Sequence, residues 1–195
     1  ILAELGPGRG TLMADLLRAA RTVPAFQAAL RVHLVETSPT LRQRQKEALA
    51  ATECPAAPLW HDDFAGLPDG PMLLVANEFF DALPIRQFQR TATGWQERRI
   101  DGSDDGSDDG EEEFRFVLTP GAVEPLIPQA LMTAPVGSIL EICPAAIGLG
   151  SAIGERVTRS GGAALIIDYG HGESALGDTL QAVKNHAYHP ILATP

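Results

Sequence analysis

Cysteine is scarce in this 195-residue sequence, which contains only two. Cys54 and Cys143 are isolated, because neither belongs to a C-x-x-C motif or has histidines at metal-ligand spacing. Disulfide frameworks and zinc sites need clustered cysteines or histidines, so neither is expected. We interpret both residues as small apolar fillers, and we expect no metal and a reducing, intracellular compartment.

Long apolar runs are also missing, although 45% of the residues are hydrophobic. No run approaches the roughly 20 residues that span a bilayer, and no basic and apolar leader precedes the first predicted strand. The sequence opens inside that strand without an initiator methionine and stops at Pro195 with no closing element. We therefore expect no membrane insertion, and we expect segments missing at both ends that activity can require.

Positive charge is in deficit. The sequence has 15 basic and 25 acidic residues, and its formal net charge is −10. Such a balance disfavours nonspecific attraction to phosphates, so a nucleic acid is not expected as the substrate. Much of the negative charge lies in residues 102–113, a repeat of glycine, serine, aspartate and glutamate. Its composition predicts a solvated, mobile loop, and docking of a basic partner is the alternative.

The most informative feature present is the opening segment ILAELGPGRG, an apolar strand with an acid and then alternating glycines. Glycines allow a ligand to approach the backbone and permit positive φ in a tight strand-to-helix turn. A dinucleotide fingerprint would place its third glycine at Thr11. The spacing therefore favours S-adenosylmethionine over NAD, with an ordinary turn as the alternative. The predicted cofactor-binding residues are Glu4, Gly6, Gly8 and Gly10.

Two further strand ends carry acids. A helix is predicted over 11–21, with Leu12, Leu16 and Ala20 on one face and Met13 and Leu17 beside them. The strand at 31–36 follows, and Ser38-Pro39 is typical of a helix start. Glu36, the last residue of this strand, is placed to accept hydrogen bonds from both ribose hydroxyls; the alternative is a solvated strand end. The third strand ends at Asp62 and Asp63, which can reach the adenine amine or cap a turn.

The later segments predict an α/β Rossmann-like fold with a mostly parallel sheet, as one catalytic domain over 1–195. Short strands at 85–89, 95–100 and 114–118 predict a β-rich insertion over 85–119 that can shape a substrate site. The α/β pattern resumes with a strand at 138–142 and a strand at 163–168. Between them a helix is expected, ended by Gly161-Gly162, and its shared face comprises Ala146, Leu149, Ile153 and Val157. Residues 179–183 can supply one more strand.

The fourth core strand, 72–76, runs directly into NEFFDALP at 77–84. In open α/β sheets, ligands bind beyond the carboxyl ends of the strands. We therefore expect the polar side chains of this segment beside the cofactor and its two phenylalanines excluding water. The alternative is a polar loop with two core aromatics. The side chains in question are Asn77, Glu78, Asp81, Phe79 and Phe80.

Five segments of the sequence form a combined signature: ELGPGRGTLMADLLR (4–18), VETSPTLRQRQ (35–45), NEFFDALPIRQF (77–88), IDYGH (167–171) and GDTLQAVKNHAYHPIL (177–192). Together they resemble the MidA-like class I SAM-dependent methyltransferases. The resemblance implies a seven-stranded sheet and SAM held by the three glycines and Glu36. It also implies symmetric dimethylation of a protein arginine, with a complex I catalytic-core subunit as partner during assembly. A homodimer is possible. The compartment would be the cytoplasm in a bacterium or the mitochondrial matrix in a eukaryote.

The chemistry of arginine methylation suggests roles for the NEFFDALP carboxylates. A guanidinium is essentially always protonated in water, so its nitrogen is a poor nucleophile until carboxylates hold and polarise it. Glu78 is the first choice, Asp81 gives a second bond or caps a turn, and Asn77 fixes Glu78 or lines the methyl channel. Tyr169 and His171 can contact the acceptor, or can be an edge tyrosine and a solvated histidine. Methylation of another acceptor and a SAM-binding assembly chaperone remain alternatives.

Overall fold

The structure is a computed structural model that describes residues 1–52, 54–102, 114–119, 126–170 and 175–193. In chain order the elements are β1 (Leu2–Leu5), α1 (Thr11–Ala20), α2 (Pro24–Ala29), β2 (Val32–Val35), α3 (Pro39–Ala50), β3 (Leu59–His61), β4 (Met72–Asn77), β5 (Arg86–Thr91), β6 (Gly94–Asp101), β7 (Arg115–Thr119), β8 (Ile139–Ile142), α4 (Pro144–Ser160), β9 (Gly162–Ile167), β10 (Ala182–Lys184) and β11 (Ala187–His189). Two compact units result: Ile1–Leu83 with Ala145–Gly170, and the described residues of Pro84–Pro144 with His171–Pro195.

The first unit contains a parallel sheet with the strand order β3-β2-β1-β4-β9. The chain moves outward from β1 to β3 and then returns to the other side of β1 as β4. The order therefore reverses between β1 and β4, and in such sheets this is where ligands bind, beyond the carboxyl ends of the strands. The described residues form five parallel strands, compared with the seven that the resemblance implies.

Helices pack on both faces of this sheet. One core cluster joins the β1 and β2 side chains to α1, and the other joins the opposite face to α4. The predicted face of α1 is confirmed for Met13, Leu17 and Ala20, which are buried, and was wrong for Leu12 and Leu16, which are only half-buried. The residues that reach the sheet lie one position further along each turn, and the buried set is Met13, Ala14, Leu17 and Ala20.

The end of α4 agrees with the glycine pair in the sequence. Gly161, with φ 78°, follows the last helical residue in the left-handed conformation. A Cβ on Gly162 would collide with the backbone of Met72 on β4. The two glycines therefore permit both the turn and the close pairing of β4 with β9. The predicted face of α4 is also largely confirmed, since Ile153 is buried and Leu149 and Val157 pack beside it.

The second unit is antiparallel. Its larger sheet has the order β7-β6-β5-β8, and a hairpin joins β10 to β11. The three predicted strands of the β-rich region are confirmed within one or two residues. The assignment of 138–142 to the parallel sheet was wrong, because β8 pairs with β5 and Leu140 lies opposite Phe88 in that unit's core. The strand predicted at 179–183 corresponds to β10, which is shorter and lies in the hairpin with β11. The acidic loop beyond Gly102 lies outside the described residues.

Among the described residues, no helix combines the length and the hydropathy needed to cross a membrane.

Candidate functional site

The glycine turn after β1 has left-handed backbone at all three alternating glycines. The φ angles of Gly6, Gly8 and Gly10 are 59°, 52° and 81°, a region that costs other L-residues free energy. A Cβ on Gly6 would lie 2.6 Å from the ring of Phe79, and one on Gly10 would lie 3.2 Å from the Gln45 Cα. A Cβ on Gly8 would meet no described atom within 4 Å. The turn is therefore packed on both flanks and open in the middle.

Glu4 points from β1 toward the start of α1 and is only 3% exposed. Burial raises the pKa of its carboxyl from 4.5 to about 7, although a hydrogen bond from the Met13 backbone N–H opposes the shift. Its Oε2 has no hydrogen-bond partner among the described residues. A buried polar atom without a partner is costly and rare. Glu4 therefore retains one free acceptor beside the glycine turn.

Glu36 follows β2 directly and is half-buried. Its Oε1 accepts the Ser38 backbone N–H at 2.9 Å, and its Oε2 accepts from the Gln45 side chain at 3.2 Å. The Ser38 hydroxyl in turn caps α3 by accepting the Leu41 N–H, as the Ser-Pro pair predicts. Each carboxylate oxygen keeps a further lone pair. The strand end thus presents an oriented acceptor rather than a freely rotating side chain.

The two aspartates after β3 take different partners. Asp63 caps the short 3-10 helix Phe64–Gly66 by accepting the Gly66 N–H at 2.8 Å, which was the alternative that the sequence left open. Asp62 is 85% exposed and binds Arg42 at 2.6 Å. Because Arg42 also donates to the Glu36 backbone carbonyl at 2.6 Å, it ties the ends of β2 and β3 together. Asp62 therefore remains the candidate beside the Glu36 site.

The segment after β4 begins with a strained residue. Glu78 has φ 51°, a left-handed conformation that is uncommon outside glycine, asparagine and aspartate. Its N–H donates to the Ile167 carbonyl at 2.8 Å, while its side chain is exposed. Such strain persists where surrounding contacts over-determine the conformation, and it clusters at functional sites. The following Phe79 lies on Gly6, with Phe80 edge-on to it at a centroid distance of 5.9 Å.

Asp168, at the end of β9, provides the contacts that hold this segment. Its Oδ2 accepts the backbone N–H groups of Phe80 and Asp81 at 2.9 and 3.0 Å, and its Oδ1 accepts that of Tyr169 at 2.9 Å. Asp168 was predicted only as the last residue of a strand, with no role in the site. Its position directly after an apolar strand, like Glu36 and the acids after β3, was the available signal.

The structure therefore collects most of the predicted site residues at one edge of the parallel sheet. The glycine turn, Glu36, Asn77 and Asp168 follow or end β1, β2, β4 and β9, whose carboxyl ends share that edge. Tyr169 is 78% exposed there, and the Asp81 side chain is exposed. His171 lies outside the described residues.

The full chain, residues 1–195, matches the model of the family described as "Putative S-adenosyl-L-methionine-dependent methyltransferase". This chain belongs to that methyltransferase family. Its cofactor, S-adenosyl-L-methionine, agrees with the interpretation of the glycine turn, and the predicted family and α/β fold class are confirmed.

Relatives of this chain are also named methyltransferases. The chain is 36% identical to "Protein arginine methyltransferase NDUFAF7, mitochondrial" of Mus musculus and 34% identical to that of Danio rerio, covering 100% of this chain and 48% and 49% of those proteins. A crystal structure of a "likely methyl transferase from Burkholderia thailandensis bound to S-adenosyl-homocysteine" is 30% identical with a TM-score of 0.69. That match covers 87% of this chain and 42% of the other. The chain spans about half the length of the curated relatives it matches.

Proposed function

We propose that this chain binds S-adenosylmethionine at the glycine turn and methylates an arginine side chain of a protein. One observation carries the proposal: the turn is open at Gly8 and is flanked by two carboxylates with unused acceptor capacity, Glu4 and Glu36. The family membership supports the cofactor. The names of the relatives, which are protein arginine methyltransferases, support the acceptor.

The residues present fit the cofactor. Its ribose carries two adjacent hydroxyls, which a carboxylate such as Glu36 can accept together. Its amino group is a cation that donates hydrogen bonds. The buried Oε2 of Glu4 has no donor among the described residues and can accept one of these bonds. The backbone of Gly6, Gly8 and Gly10 leaves room for close approach. We propose that these five residues hold the cofactor, with Asp62 as the candidate for the adenine amine.

When bound, the cofactor would supply a sulfonium methyl group; the acceptor nitrogen would bond to the methyl carbon in line with the breaking C–S bond, and S-adenosyl-homocysteine would leave. The protein must then hold a guanidinium in the correct geometry, since positioning accounts for much of the rate of such a displacement. The exposed carboxylate of Glu78 is suited to pair with the guanidinium and to take up the proton that the nitrogen gives up. Asp81 is the second carboxylate within the same segment, and Asn77 precedes Glu78 on β4.

The strained backbone at Glu78 supports its catalytic role. A left-handed φ of 51° costs free energy that a plain loop has no reason to retain. Asp168 fixes the two residues that follow Phe79, so the segment has a defined direction as it leaves β4. Phe79 packs against Gly6, and Phe80 lies edge-on to Phe79. We propose that the two rings exclude water from the transferring methyl group and that Tyr169 lies beside the acceptor.

The finer identity of the acceptor is also a proposal. We propose symmetric dimethylation of an arginine on a complex I catalytic-core subunit, because the sequence resembles methyltransferases that act in complex I assembly. The relatives are named mitochondrial, which supports the mitochondrial matrix in a eukaryotic source, with the cytoplasm as the bacterial counterpart. A SAM-binding assembly chaperone that needs no turnover is the second candidate. The Glu78 side chain is exposed and pairs with no described residue, which favours the enzyme over the chaperone.

The test is label transfer from radiolabelled SAM to the complex I subunit, followed by acid hydrolysis and identification of the labelled amino acid. We expect dimethylarginine with the wild-type protein. Glu78→Gln should lower turnover by at least about tenfold, about 1.4 kcal/mol, because it removes the charge that holds the guanidinium. Its affinity for S-adenosyl-homocysteine should be unchanged, since no predicted cofactor contact involves this side chain.

The exposed Glu155→Gln on α4 is the matched control, and it should keep full turnover. Glu36→Ala should lose cofactor affinity. Label on another residue type would indicate a different acceptor. Normal assembly of the partner complex in cells that carry only Glu36→Ala would contradict the enzymatic proposal and favour the chaperone.

A further inference from the structure

Gln45 is a polar residue at the centre of the α3 face that packs on the sheet. It is 0% exposed and lies one turn before the buried Leu49 and one turn after Leu41. Burying a neutral amide costs free energy unless its donors and its acceptor all form hydrogen bonds. The Leu41-Gln45-Leu49 spacing places a polar side chain within an apolar stripe of α3.

Every polar group of this side chain has a partner. Nε2 donates to the Gly8 carbonyl at 2.8 Å and to Glu36 Oε2 at 3.2 Å, while Oε1 accepts the Trp60 indole N–H at 2.8 Å. The orientation of the amide is fixed by its partners, because an indole can only donate and a carbonyl can only accept. One buried amide thus connects the open position of the glycine turn, the carboxylate after β2 and the indole on β3.

The surroundings preserve this arrangement. Gly10 lets the backbone of Gln45 approach closely, since a Cβ there would lie 3.2 Å from its Cα. The ammonium group of Lys46 lies 5.4 Å from the centroid of the Trp60 ring. The third glycine of the turn is therefore needed for packing against α3 as well as for its left-handed backbone.

We propose that Gln45 is a positioning residue for the cofactor site, a role that rests on the proposed function. Its amide holds the Gly8 carbonyl and the Glu36 carboxylate in one fixed arrangement before the ligand arrives. The Glu36 carboxylate is then already oriented toward the ribose, so the site loses less conformational entropy when the ligand binds. Gln45 itself contacts no ligand in this account. Its effect must therefore pass through Glu36 and the turn.

The test is a titration of S-adenosyl-homocysteine into the protein by calorimetry. Gln45→Met keeps the length and the burial but removes both donors and the acceptor. We expect it to weaken binding about tenfold, the scale of one or two lost hydrogen bonds. Gln43→Met is the matched control on the same helix, because Gln43 is exposed and its amide hydrogen-bonds to Glu47 rather than to any part of the candidate site that the structure describes. It should bind as the wild type does.

A double-mutant cycle separates positioning from general loosening of the fold. In a Glu36→Gln background, Gln45→Met should weaken binding by only about threefold or less, because the carboxylate that it orients is gone. Trp60→Phe is a second, less disruptive variant, since it removes the hydrogen-bond donor to Gln45 Oε1. Its effect on binding should also be smaller in the Glu36→Gln background than in the wild type. It also keeps the cycle interpretable if Gln45→Met folds poorly.

Two outcomes would overturn the inference alone. One is wild-type affinity in both Gln45→Met and Trp60→Phe, and the other is an equal loss with and without Glu36. Failure of the wild-type protein to bind S-adenosyl-homocysteine would instead overturn the proposed function and this inference with it.

Discussion

Replacing Glu4 by glutamine should change how the stability of the ligand-free protein depends on pH. Glu4 is 3% exposed, and burial raises the pKa of its carboxyl to about 7 from 4.5. The folded state therefore binds this proton more tightly than the unfolded state does. Its contribution to stability is complete below pH 4.5 and is lost as the pH rises through 7.

The size of the effect follows from the shift. Each pKa unit corresponds to about 1.4 kcal/mol, so the buried carboxylate should lower the free energy of unfolding by about 3 kcal/mol above pH 8. Glutamine has nearly the same shape and does not titrate in this range. The variant should therefore lack this part of the pH dependence. The stability gained from the substitution should be largest in alkaline buffer.

The assay is urea unfolding of both proteins at several pH values between 5 and 9. The informative quantity is the difference between the two free energies of unfolding at each pH. Burial, and then the neighbouring His61, lower the pKa of His33, which makes stability fall in acid. That contribution is common to both proteins and cancels in the difference. Parallel curves for the two proteins would refute the account of Glu4 as a buried, proton-binding carboxyl.

Three further substitutions test other contacts. Gly6→Ala should cost about 1 to 2 kcal/mol of unfolding free energy from its left-handed φ, with more from the 2.6 Å approach to Phe79, as thermal or urea unfolding will show. Gly8→Ala should lower the unfolding free energy only by the cost of its left-handed φ, because a Cβ there meets no described atom within 4 Å. It should weaken S-adenosyl-homocysteine binding strongly, since the ligand is proposed to occupy this open space. Unaltered binding would place the ligand elsewhere. Asp168→Asn should lower kcat by about tenfold with little change in cofactor affinity, because an amide cannot accept on both sides and one anchored N–H loses its acceptor. Loss of cofactor affinity without a change in kcat would argue against its role in holding the Glu78 segment.

Short-range patterns predicted the positive φ of the glycine turn and the capped start of α3. The strand, the acid and the alternating glycines of 1–10 are contiguous, and their meaning depends on backbone conformation that glycine largely determines. The carboxylate after β2 and the capped start of α3 are likewise local features. The double glycine after α4 was identified for its role in ending the helix, and the structure adds the close strand contact.

The missed features depend on contacts between distant parts of the chain. Gln45 reaches the Gly8 carbonyl across 37 residues, and Asp168 reaches the Phe80 N–H across 88. No local spacing encodes either contact. The strand at 138–142 was assigned to the wrong sheet for a related reason, since a short apolar strand does not specify its partner. Its neighbour was decided by packing of Leu140 against Phe88 in the second core.

The central claim is that the cofactor lies on the glycine turn with its ribose on Glu36. A crystal structure of the protein with S-adenosyl-homocysteine tests this most directly. The account predicts both ribose hydroxyls within about 3 Å of the Glu36 carboxylate, the ligand across Gly8, and its sulfur facing the segment that begins at Glu78. A ligand bound elsewhere, or one whose ribose leaves Glu36 without contact, would contradict it.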